Sequence, residues 1–154
     1  MIQVVIKTNL SEVLQKKKDQ IDALSSSVGL QEISRVIAVS LLPVIHDRIH
    51  VQGRAADGSQ IGLYSQGYMK TRQRLNRGPD RKVILSLRRQ MENDMSVVAA
   101  SEKSYGIGFK NAENYRKSQY VENTYKKPIY SLTQDERSLI LPIAEKHIHD
   151  ALSV

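Results

Sequence analysis

The chain has no cysteine and no tryptophan, and its only phenylalanine is Phe109. Without cysteine there is no disulfide, no thiolate metal site and no cysteine nucleophile. With so few apolar rings the core must be largely aliphatic. The apolar share, 40% of 154 residues, is enough for one domain of that kind. No uninterrupted run of about 18 apolar residues occurs, so no membrane span is expected. Residues 1–7 form too short an apolar stretch for a leader, which implies synthesis and first folding in a cytoplasm.

What the chain does have is tyrosine and localised positive charge. Of seven tyrosines, Tyr115, Tyr120, Tyr125 and Tyr130 fall close together, and an apolar ring with a polar tip suits partly buried or interfacial positions. The net charge is +7, and one stretch accounts for all of it. Between Gln66 and Met91 eight basic residues (Lys70, Arg72, Arg74, Arg77, Arg81, Lys82, Arg88, Arg89) face a single acid, Asp80, while the other 15 basic and 15 acidic residues cancel. Asp57-Gly58, Gly62, Gly67 and Gly78-Pro79 punctuate residues 52–91, so no apolar period builds up and the segment reads as a long exposed loop. Loops of that length are functional or disordered. Arginine outnumbers lysine six to two there, and Tyr64 and Tyr68 stand at its entrance. The guanidinium fork suits phosphates, carboxylates and aromatic faces, which makes these ten residues the candidate contacts to protein or DNA. A solvated charged loop without a partner is the competing reading.

The rest of the chain reads as alternating helical and extended elements. Residues 2–6 are β-branched and apolar, as in a short strand. Leu10, Val13, Leu14, Ile21 and Leu24 recur at helical spacing, and the serines at 25–27 with Gly29 are expected to end that helix. The strongest apolar stripe (Leu30, Ile33, Ile37, Leu41, Ile45) predicts a helix over 31–50 of roughly 30 Å. Pro43 predicts a kink or break near residues 40–42. Residues 83–94 read as a short helix, 95–100 and 105–109 as a hairpin, 112–123 as a surface helix and 127–130 as an edge strand around Pro128. Thr133-Gln134-Asp135-Glu136 is a capping box opening a last helix to about residue 150, with Leu139, Ile140, Ile143 and Ile148 inward. The class is therefore α+β: a long N-terminal helix and a C-terminal helix packed on a small, mostly antiparallel sheet. A single domain, 1–154, carries an extended basic loop or arm at 53–82.

Chemistry-bearing patterns are scarce. Gly106-x-Gly108 lacks the third glycine and the lysine of phosphate loops and lies within strand alternation. His46 and His50 share a helix face, but no HExxH motif or nearby carboxylate cluster completes a metal site. No serine sits in a nucleophile elbow. The expectation is a protein without catalysis, cofactor or metal.

Taken in order, several motifs nevertheless form a pattern. A helix ends in Arg48-Ile49-His50-Val51-Gln52-Gly53, then comes Asp57-Gly58-Ser59-Gln60-Ile61-Gly62-x-Tyr64-Ser65. Lys82-Val83-Ile84-Leu85-Ser86-Leu87 leads to Gln90-Met91, and Tyr105-Gly106-Ile107-Gly108-Phe109-Lys110-Asn111 follows. Over about residues 30 to 150 this order resembles the virion morphogenesis and tail-completion proteins of tailed bacteriophages. The chain departs from that pattern where the family usually carries a glycine in the Val83–Met91 motif: Arg88-Arg89 stand there instead. The resemblance implies a structural virion protein at the head–tail interface. Such a neck or tail-completion subunit forms a homo-oligomeric ring and meets portal or connector and tail proteins, with nonspecific contact to the DNA in the channel as an alternative use of its basic side chains. The alternative from a different class is a small nucleic-acid-binding module that uses residues 70–89.

Overall fold

Residues 10–153 are described by the structure, a computed structural model; the strand expected at residues 2–6 lies outside them. The architecture is α+β, organised on one long helix. Helix α1 (Leu10–Ser25) turns through Ser26 into α2 (Ser27–His50), and α3 (Gln66–Arg74) and α4 (Gln90–Asp94) follow. Strands β1 (Met95–Ser101) and β2 (Ser104–Phe109) form an antiparallel hairpin, succeeded by α5 (Ala112–Tyr125), α6 (Gln134–Ser138) and α7 (Ile140–Leu152).

Helix α2 runs unbroken through Pro43. The proline deprives the Val39 carbonyl of its helical donor, but Val39 and Pro43 both face solvent, so water can serve that carbonyl. The opposite face buries Ala38, Leu41, Ile45 and Ile49 and holds the helix across the proline. By length and composition alone α2 could cross a membrane, with a mean hydropathy of 1.6 in its most apolar window. Here it is the element on which the hairpin, α1 and α7 rest. Gly29, expected to end the first helix, lies inside the first turn of α2. A side chain there would come within 2.4 Å of the Ala23 and Leu24 carbonyls, so the glycine is what permits the one-residue corner at Ser26.

The hairpin register sets Met95 opposite Phe109 and Val97 opposite Ile107. Ile107 and Phe109 pack on the core, and the Tyr105 amide donates to Ser34 Oγ at 2.9 Å, fastening β2 to α2. Gly106 and Gly108 are ordinary strand positions of this hairpin.

Three expectations need correction. Only Gln90–Asp94 of the helix expected at 83–94 is helical, because side chains engage the backbone of residues 84–87 instead. Residues 127–130 form no strand: the Glu122 carboxylate accepts from the Ile129 and Tyr130 amides (2.8 and 3.0 Å), in place of a ladder. The last helix divides at Leu139, which places Pro142 in the first turn of α7, where no intrahelical donor is needed. Ile140 and Ile143 turn inward, whereas Leu139 and Ile148 are exposed.

The extended arm expected at 53–82 is folded onto the core. Ala55, Ile61, Tyr64 and Met69 are buried with α2, and Gln66–Arg74 is helical. Aliphatic anchors every few residues, too irregular to show a period, pull the chain down.

Arg48, near the end of α2, ties these parts together. Its Nε donates to Glu136 Oε1 at 2.6 Å and one terminal nitrogen to Glu136 Oε2 at 3.3 Å. The remaining donors reach the carbonyls of Arg54 (3.1 Å), Ile129 (2.9 Å) and Ser131 (2.9 Å). Glu136 Oε2 also accepts from the Thr133 amide at 2.8 Å, completing the capping box. All five guanidinium N–H groups are thereby satisfied away from water.

Removing one member of a buried ion pair leaves the other charge uncompensated. Arg48→Ala or Glu136→Ala is expected to cost about 3–5 kcal/mol, against about 1 kcal/mol for Thr133→Ala, as read from urea denaturation. A cost for Arg48→Ala no larger than for Thr133→Ala would contradict this assignment. His50 supplies a pH dependence. Burial holds its imidazole below the ordinary 6.5, outweighing the opposing pull of the Ile84 carbonyl. Below about pH 6.5 the unfolded chain therefore takes up a proton that the folded chain refuses, and stability should fall with pH, less steeply in His50→Gln; a melting temperature flat from pH 7 to 5 would count against it.

Candidate functional site

The candidate site begins with residues 84–87, whose backbone is served by side chains. Tyr64 Oη accepts from the amides of Ile84 (3.2 Å) and Leu85 (3.0 Å). His50 Nδ1 lies 3.1 Å from the Ile84 carbonyl. Arg72 donates to the Ser86 carbonyl at 2.9 Å, and Arg77 Nε to the Leu87 carbonyl at 2.6 Å. The Arg72 guanidinium also lies over the Tyr64 ring, 4.4 Å from its centroid. Such stacking offers a buried cation a partner that is not an acid. Burial raises the Tyr64 phenol above its ordinary value, with Arg72 pulling the other way, so the hydroxyl stays protonated at neutral pH.

These contacts divide the ten residues singled out from sequence. Tyr64 and Arg72 are core residues, Arg72 only 1% exposed. Arg77 is half-buried, and Arg81 Nε donates to the Tyr64 carbonyl at 3.0 Å. Lys82 is partly buried, 4.0 Å from Asp80. Lys70, Arg74, Arg88 and Arg89 point to solvent. Four of the ten, Tyr64, Tyr68, Arg88 and Arg89, come together along a groove of about 720 Å³ between α3, residues 85–91 and α5.

The other wall of this groove is what the sequence reading did not place. Helix α5 contributes Lys117, Tyr120, Val121 and Tyr125, and Leu85, Leu87 and Met91 form an aliphatic floor. The Tyr64 and Tyr68 rings meet at 5.0 Å, tilted by 44°. Burial, and then the neighbouring phenols of Tyr64 and Tyr68, raise the Tyr125 phenol. Gly62 sits where a side chain would come within 2.9 Å of the Tyr125 ring, which is why a glycine lies beneath α5. The cluster of tyrosines at 115–130 was the available signal, but nothing in their spacing names the basic segment as their neighbour.

Among the described residues, the groove is lined by three cations and four tyrosines and by no aspartate, glutamate or histidine. It offers hydrogen-bond donors, positive charge and apolar surface, without a general base beside a nucleophile. Elsewhere, His46 Nε2 lies 3.6 Å from Glu92 Oε1 and the His46 and His50 rings are 5.0 Å apart. No group of three or more metal-ligating side chains is assembled among the described residues.

Two backbone positions in the site are left-handed without being glycine: Leu85 (φ 50) and Arg89 (φ 57). Arg89 belongs to the pair that stands where the resembling family carries glycine. Comparison with family models, with curated proteins and with solved structures found no match to this chain.

A left-handed non-glycine residue costs roughly 1–2 kcal/mol in backbone strain. Arg89→Gly should therefore leave the melting temperature unchanged or raised, whereas Arg89→Val should lower stability by at least about 1 kcal/mol. Equal destabilisation by both would show that the arginine side chain, and not the backbone, sets this turn.

Proposed function

We propose that the chain is a non-catalytic structural subunit of a tailed-phage head–tail junction, working in a homo-oligomeric ring between portal or connector and tail. The reading rests on the resemblance in motif order, and one observation carries it further. Two of its motifs meet in space through Tyr64, which belongs to the Asp57–Ser65 segment and whose hydroxyl accepts from the Ile84 and Leu85 amides of the Lys82–Met91 segment. Around them several motif positions have a structural use. Asp57 Oδ1 accepts from the Ser59 amide at 2.9 Å to form the turn at Gly58, Ile61 is buried, and Gly62 admits Tyr125. The left-handed Arg89 supplies the backbone shape that a glycine would supply. A fold signature of this kind fits a scaffold whose function lies in its surfaces. In this reading the protein resides in the virion after synthesis in the host cytoplasm.

The second reading, a nucleic-acid-binding module, is favoured by the outward-facing Lys70, Arg74, Arg88 and Arg89. Arg72 and Arg77 are poor probes of it, because they hold the backbone of residues 86 and 87.

Light scattering of the purified chain, alone and mixed with tails or particles from the same source, followed by imaging, separates the two. Rings or incorporation at the particle neck are expected. A chain that stays monomeric, ignores tails and binds short duplex DNA would sink the junction reading, provided that binding weakens steeply between low and moderate salt and in Lys70→Ala/Arg74→Ala.

A further inference from the structure

Set against four other cavities formed by the described residues, the groove between α3, residues 85–91 and α5 stands apart because its lining carries cations and no acid. Arg88, Arg89 and Lys117 make no ion pair or side-chain hydrogen bond with any described residue. Nothing inside the groove neutralises them. The same lining includes Leu85, Leu87, Met91 and Val121, and leaves Leu63 (60%) and Tyr120 (64%) exposed.

We propose that this groove is a docking slot for an acidic, amphipathic segment of a partner protein. Carboxylates of that segment pair with Arg88, Arg89 and Lys117, and its apolar side chains lie on the aliphatic floor between Tyr68 and Tyr120. Charge complementarity sets the sign of the occupant, since the lining offers three cations and no anion. The floor sets its class. Tyrosine, methionine and arginine with no aspartate or glutamate is the composition of a protein-contact core. A nucleic-acid strand would use stacking faces, and of the four tyrosines only Tyr120 is mostly exposed. The Tyr64 ring is covered by Arg72, and Tyr68 leans on Tyr64 at 5.0 Å. A strand would also leave the aliphatic floor without a counterpart. One of these cations, Arg89, stands on left-handed backbone, an energetic cost of the sort found at functional sites.

The inference deepens the assembly reading by naming what one of its surfaces receives, and the two fail separately. A chain that enters particles while its groove ignores acidic peptides sinks this inference alone. A chain whose groove binds them but which joins no ring or particle sinks the junction reading alone.

The test is fluorescence anisotropy of the full chain with three labelled probes: a short peptide alternating leucine and aspartate, an all-aspartate peptide of equal length, and oligothymidylate. The leucine–aspartate peptide is expected to bind at least about tenfold more tightly than either of the others. Tyr120→Ala should weaken it about tenfold, and so should the double variant Arg88→Gln/Arg89→Gly, whose glycine keeps the left-handed backbone. Each variant should retain the parent's circular dichroism and melting temperature, so that lost binding is not lost folding. Equal binding of the all-aspartate peptide would reduce the groove to a charged surface, and tighter binding of oligothymidylate would make it a nucleic-acid site. Absence of binding, or binding unchanged in both variants, would overturn the slot outright.

Discussion

The constraint on which the rest of this molecule depends is the solvation of one buried guanidinium. Arg48 is carried into the interior by α2, between apolar residues that cannot solvate it, and its charge must be matched there. Glu136 supplies the charge, and the carbonyls of Arg54, Ile129 and Ser131 supply the remaining acceptors. Those acceptors come from chain segments on either side of the hairpin and α5. Satisfying one side chain therefore fixes the exit from α2, the crossing of residues 129–131 and the position of α6. The capping box gains a second role in this arrangement: Glu136 both caps its own helix and anchors it to another.

A related logic operates elsewhere in the chain, with side chains in place of a ladder. Residues 84–87 follow buried Val83 and include buried Ser86, but among the described residues they pair with no strand. Their polar backbone is served by Tyr64, His50, Arg72 and Arg77. This use of arginine changes what the basic segment means. Its excess charge reads as a single solvent-facing field, yet the structure takes Arg72 into the core and half-buries Arg77. The outward charge that remains is sparser and better placed, with Arg88 and Arg89 on one wall of a groove and Lys117 on the other.

Much of the fold was legible because it is local. The hairpin at β1–β2 follows from alternation, the Thr133 cap from its spacing, and α2 from its apolar stripe, although the break expected near Pro43 does not occur. What was illegible is non-local. The anchors Ala55, Ile61 and Met69 follow no period, so the segment containing them looked like an arm, and the Arg48–Glu136 pair spans 88 positions with nothing to mark it. The candidate site was half legible for the same reason. The basic side of the groove announces itself by charge, whereas Tyr120 and Tyr125 join it only because α5 folds back over Gly62.

That distinction bears on how the molecule would bind. An arm that orders on contact would surrender part of its interaction energy to the entropy of ordering, and its affinity would be low for the area it covers. Here the chain from Gly53 to Lys82 is already anchored through Ile61, Tyr64, Met69 and Arg72, and both walls of the groove rest on elements joined to the core. Ordering has been accomplished in the folding of the monomer, with the strained turns at Leu85 and Arg89 as part of its cost. Binding to such a surface depends on complementarity of charge and shape, and small changes at Tyr120 or Arg88 translate directly into affinity. In the proposed role at a head–tail junction, a preformed groove would specify the contact geometry before the partner arrives, which a disordered arm could not do.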